Sequence, residues 1–102
     1  MSGGKASRTV VVPNPQGIHL RPAQMIAQLA GKYQAKIEFI KENQRVDGRS
    51  ILNLITLAAR QGEELLIEAD GSDAQQALDA MAELFAGSFA EYESNNNQTN
   101  PD

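Results

Sequence analysis

The sequence predicts an α/β (α+β) fold: an open-faced two-layer sandwich in the order β-α-β-β-α-β-α, with three helices on one face of a mainly antiparallel four-stranded sheet. Three observations carry that expectation. Short β-branched or alternating runs are interleaved with segments whose apolar residues recur at helical spacing. The helical segments are apolar on one side only, so they cover one sheet face and leave the other to water. A hairpin sits between two longer crossovers, which makes antiparallel pairing the rule.

Each element has its own local justification. "RTVVVPNP" is a β-branched run stopped by Pro13 and Pro15, a strand followed by a turn. Pro22 suits the first turn of a helix, where its missing N–H costs nothing. Ala23, Ile26, Ala27 and Ala30 then recur at helical spacing up to Gly31, giving a first helix over 21–31. In "AKIEFIKENQRVDG", Ile37 and Phe39 point one way and Lys36, Glu38 and Ile40 the other; Glu42-Asn43 turns the chain back into Gln44–Val46. Ser50 is a natural N-cap for a short helix with Ile51, Leu54, Ile55 and Ala58 along one face. "EELLIEAD" reads as a strand with Leu65 and Ile67 on one side and Leu66 on the other, closed by Asp70-Gly71. Ala74, Ala77, Leu78, Met81, Leu84 and Phe85 form the stripe of the last helix, with Ser72 or Asp73 as its cap.

A chain of 102 residues has room for one core. The expected organisation is a flexible leader over 1–7, a domain over 8–86 and a polar, disordered tail over 87–102, ending in "SNNNQTNPD". Without cysteine there is no disulfide framework, thiolate nucleophile or Cys-based metal site, which fits a reducing cytoplasm. No apolar run is long enough to span a membrane, and a net charge of −4 argues against nucleic acid as partner. The charges are unevenly placed. Residues 1–60 hold all nine cations and three acids, a balance of +6, while 61–102 hold ten acids and no cation, a balance of −10. A basic half favours anionic ligands or acidic partner surfaces.

That half contains "GIHLRPA", Gly17 to Ala23, with the chain's single histidine. No G-x-S-x-G elbow accompanies it, and a lone histidine makes a poor metal site. An imidazole can itself act as a nucleophile and carry a transferred group. The surroundings suit a phosphoryl group: Gly17 permits a tight turn, the first N–H groups of the following helix precede its ladder at the positive end of the dipole, and Arg21 offers a charge-assisted contact. On spacing alone, a surface or capping histidine fits equally well.

The stretch resembles the active-site signature of the HPr family, the histidine-containing phosphocarriers of the bacterial phosphotransferase system, whose pattern is Gly-aliphatic-His-small-Arg-Pro-Ala. A second family signature matches "RSILNLITL", Arg49 to Leu57, at the usual separation, and the resemblance covers roughly residues 8–86. It implies that His19 accepts a phosphoryl group on Nδ1 from phosphorylated enzyme I, originally from phosphoenolpyruvate, beside Arg21, and passes it to a histidine of an enzyme IIA domain. It also implies that Ser50 is the serine phosphorylated in some bacteria by HPr kinase/phosphorylase, with Arg45 and Arg49 near enough to screen the charge. Leu20 stands where most members carry Thr or Ala, and bears on partner choice. Leu20, Gln24 and Met25 on the first helix and Ile51, Leu52 and Ile55 on the second are the expected docking residues. The expectation is a cytoplasmic, monomeric carrier that needs no metal or cofactor and is not itself an enzyme. The alternatives are a nitrogen-branch relative that serves transcriptional or other regulators, and a binding module of the same fold in which His19 carries nothing.

Overall fold

The computed structural model describes residues 4–89. Along the chain run β1 (Lys5–Val11), α1 (Leu20–Ala30), β2 (Lys36–Lys41), β3 (Gln44–Asp47), α2 (Ile51–Thr56), β4 (Glu64–Asp70) and α3 (Ala74–Ala86). All pairings are antiparallel and the sheet order is β1-β4-β2-β3. The hairpin β2–β3 supplies one edge, with Phe39 opposite Val46. β4 enters between β1 and β2, Leu66 lying opposite both Thr9 and Ile40.

The strict alternation of β4 decides the layers. Leu65, Ile67 and Ala69 are buried toward the helices together with Ile37 and Phe39, whereas Glu64 and Asp70 face water. Against that face lie Ala23, Ile26 and Ala30 of α1, Leu54 of α2, and Ala77, Leu78, Met81 and Phe85 of α3. Phe39 stacks on Phe85 at 6.1 Å, joining the centre of the sheet to the last helix. On the open face Arg45 reaches Glu38 at 2.8 Å and Glu68 at 2.7 Å, tying three strands together.

Several boundaries differ from the sequence expectation, each for a physical reason. The leader was expected to reach Ser7, yet the strand begins at Lys5, because Lys5, Ala6 and Ser7 have partners in Asp70, Ala69 and Glu68. α1 starts one residue early, at Leu20, and Gly31 closes it in right-handed geometry, so no left-handed glycine stop is used. α2 ends at Thr56; Leu57 is buried in place of Ala58, which is exposed and left-handed with φ 54°. The Lys41 ammonium donates to the Leu57 and Ala58 carbonyls at 3.2 and 3.1 Å and so ends that helix from a distant strand. Asp73 occupies the N-cap position of α3 without capping it. Its backbone is not extended, and its carboxylate accepts the N–H groups of Gln34 and Ala35 at 2.9 and 2.8 Å. Those bonds, the one from Gln34 foremost, hold the Asp73 carboxyl below the ordinary range.

The expected tail was to begin at Gly87, but Phe89 is 2% exposed and packs edge-on against Phe85 at 5.1 Å. Ser88 and Phe89 adopt φ of 57° and 59° to bring that ring back over the core. Residues 90–102 of the expected tail lie outside the described residues. The charge halves also interleave in space: Arg8 pairs with Asp79, Lys41 with Glu63 and Arg45 with Glu68.

Candidate functional site

The loop between β1 and α1 is short of regular structure but densely bonded. Val12 exchanges backbone hydrogen bonds with the β4 approach, its N–H to Glu63 O at 2.9 Å and its carbonyl from Gly62 N at 2.8 Å. The Gln61 side chain donates to Pro13 O at 3.1 Å. Gly17 takes φ 71° and lies against the Ala59 carbonyl so closely that a Cβ there would clash with that oxygen. The Ile18 N–H donates to the same Ala59 O at 3.0 Å and sends the Ile18 side chain into the core at 5% exposure. Only glycine meets both the left-handed turn and the close approach.

The chain then presents His19. Its backbone is extended (φ −99°, ψ −162°), and it occupies the N-cap position of α1 without using its ring as a cap. The first bond of the helix runs from Ala23 N to His19 O at 3.0 Å, so the N–H groups of the opening turn precede the ladder. Pro22, in that turn, has no N–H to leave unpaired. The half-buried His19 and exposed Arg21 line one pocket of about 400 Å³ with Asn14, Pro15, Gln16, Pro22, Met25 and Phe89. Helix polarity, a guanidinium and an accessible imidazole thus face one space suited to a small anion. Among the described residues no group of three or more His, Cys, Asp or Glu is placed to hold a metal ion. None of the helices among them is long and apolar enough to cross a membrane.

Behind the site, the α2–β4 connection is braced by ions. Glu63 accepts from Arg60 N at 2.7 Å and pairs with Lys41 at 3.1 Å. The Arg60 N–H first, and Lys41 second, hold the Glu63 carboxyl below its usual range. This brace carries the Ala59 carbonyl on which Gly17 and Ile18 rest.

The expected docking residues divide. Leu20 is 53% exposed and Leu52 73%, two apolar side chains standing in water on α1 and α2, helices that pack against each other. Met25 forms part of the pocket wall and Gln24 is half-buried. Ile51 and Ile55 pack partly against the core. The Ser50 hydroxyl accepts from Asn53 N at 3.2 Å as the N-cap of α2. The arginines expected to screen it are engaged elsewhere: Arg45 with Glu38 and Glu68, and Arg49 with the Tyr33 carbonyl at 2.6 Å. Three pocket residues, Asn14, Gln16 and Phe89, went unread in the sequence. Asn14 lies in a turn between prolines, and Phe89 falls in the expected polar tail, although an aromatic three residues beyond a helix end is a usable signal.

A family model described as "PTS HPr component phosphorylation site" matches residues 6–87. Phosphocarrier protein HPr of Treponema pallidum is 38% identical over 84 residues, covering 82% of this chain and 96% of that protein. HPr of Cupriavidus necator is 35% identical over 86 residues, covering 84% and 97%. The crystal structure of HPr-C-His from Thermoanaerobacter tengcongensis matches with a TM-score of 0.80 at 30% identity, covering 83% of this chain and 96% of that one. The family match spans nearly all of the described residues and includes the loop that carries His19, the relatives are covered almost end to end, and the chain belongs to the HPr family of phosphocarrier proteins.

Proposed function

We propose that this protein carries a phosphoryl group on His19 between a phosphorylated enzyme I and a histidine of an enzyme IIA protein. The observation that carries the reading is the placement of His19 at the N-cap of α1, in a pocket shared with Arg21. In the forward step the neutral imidazole, through Nδ1, attacks the phosphorus held by the donor histidine. The donor's P–N bond breaks as the new one forms, and the electron pair returns to the donor ring. Transfer onward repeats the exchange with His19 as leaving group. Arg21 and the opening N–H groups of α1 hold the equatorial oxygens throughout. Partners dock on Leu20, Gln24, Met25, Ile51, Leu52 and Ile55, in the cytoplasm, and the carrier works as a monomer.

The test is incubation with a general enzyme I and phosphoenolpyruvate. Label that is acid-labile and alkali-stable, and absent from a folded His19→Ala variant, is the expected result. Undiminished labelling of that variant overturns the reading. A second reading, with regulators as partners, is favoured by the exposed Leu20 beside the ring where most family members are smaller. Transfer to a sugar-specific enzyme IIA against transfer to a nitrogen-branch IIA separates the two. Ser50 is the regulatory site in either case: a phosphate there sits beside the exposed Leu52 and alters the docking surface without disturbing the cap.

A further inference from the structure

Asn14 is the one buried polar side chain among the described residues, at 6% exposure, and it lies in the wall of the His19 pocket. Its Nδ2 donates to the Gly17 carbonyl at 2.6 Å, while Gly17 N returns a bond to Asn14 O at 3.0 Å. The same Gly17 carbonyl accepts the His19 N–H at 3.0 Å. One oxygen therefore uses both of its lone pairs, one toward the Asn14 amide and one toward the backbone of the reactive residue.

We propose that Asn14 is a positioning residue for His19, acting through Gly17; the proposal rests on the reading of His19 as phosphoryl acceptor. The relay turns the His19 N–H inward, so an anion in the pocket is met by N–H groups that begin beyond it. It also fixes where the ring leaves the backbone relative to Arg21. The Asn14 Oδ1 gives an independent sign of this role, since it is buried with no hydrogen-bond partner. An unpaired buried acceptor destabilises, and an apolar side chain of similar size would remove that burden. The amide is the group of this length that supplies the donor, so the position keeps its donor at the expense of stability. Asp, of the same shape, would set oxygen against oxygen at the Gly17 carbonyl.

The experiment uses the full chain with Asn14→Leu and Asn14→Asp. Three readouts are taken: thermal melting, hydrogen exchange of the His19 amide without phosphate donor, and steady-state transfer from phosphorylated enzyme I. Asn14→Leu is expected to melt no lower than wild type and to lose protection of the His19 amide. Its kcat for phosphorylation should fall about tenfold with KM unchanged, in keeping with the sensitivity of transfer to small misplacements. Asn14→Asp should lose both melting temperature and kcat. Wild-type kcat and amide protection in Asn14→Leu overturn the proposal, as does a kcat loss that merely follows a fall in melting temperature. If wild-type His19 takes no label, the carrier reading fails first, and amide exchange alone then decides whether Asn14 holds the loop.

Discussion

Replacing Phe89 by alanine tests where the folded unit ends. The ring is 2% exposed and meets Phe85 edge-on at 5.1 Å. Truncating a buried phenylalanine inside a core costs about 3–5 kcal/mol. Here the ring is held by a chain that adopts left-handed conformations at both Ser88 and Phe89, each costing about 1–2 kcal/mol for a residue with a Cβ. Docking of 87–89 therefore retains a net of about 1 kcal/mol, and that net is what the truncation removes, because the segment can release and shed its strain. For a domain of this size the loss corresponds to a fall in Tm of about 4–8 °C. Thermal unfolding of wild type, Phe89→Ala and Phe39→Ala by circular dichroism provides the assay. Phe39, stacked in the middle of the sheet with no such release, should lose the full core penalty. An unchanged Tm for Phe89→Ala, or a loss as large as that of Phe39→Ala, would refute the reasoning.

Two further outcomes follow from the contacts. The Asp73 carboxyl is held below its unfolded value, chiefly by the Gln34 N–H, so its contribution is present above about pH 4 and is lost as pH falls through the lower folded value. Asp73→Asn should accordingly be less stable than wild type near neutrality, and urea midpoints measured from pH 7 to pH 2 should show that deficit shrinking in acid; a constant gap would remove the linkage. Ser50→Asp keeps an oxygen at the N-cap of α2 and adds charge where the dipole accepts it, so Tm should stay level or rise slightly while enzyme I affinity falls severalfold in titration calorimetry. Unchanged affinity would return Ser50 to a purely capping role.

What the sequence made legible was local. Alternation in Glu64–Asp70 and the stripe in Ala74–Ala86 name their faces without any knowledge of partners, and Gly17, His19, Arg21 and Pro22 announce a turn, a ring, a cation and a helix start within one short run. The features that escaped depend on residues far away in the chain. Asp73 looks like a cap until Gln34 and Ala35 are brought beside it. The end of α2 is decided by the Lys41 ammonium, which no helical pattern contains. The charge halves appear segregated in one dimension, whereas folding pairs Arg8, Lys41 and Arg45 with acids of the second half. Asn14 acts through a carbonyl, and backbone partners leave no mark in side-chain patterns.

The central position of β4 also constrains how the protein is made. β1 and β2 have no direct pairing, and both ladders that they form run through Glu64–Asp70. A nascent chain emerging from the ribosome can close the β2–β3 hairpin early but has no sheet to lay it on. Until residue 70 is free, Val10, Phe39 and Ile37 lack their cross-strand apolar partners Leu65, Ile67 and Ala69, and Arg8 and Lys41 lack Asp79 and Glu63. The half-made protein is thus a cationic, open chain, and its cooperative folding waits for the segment from Glu64 onward.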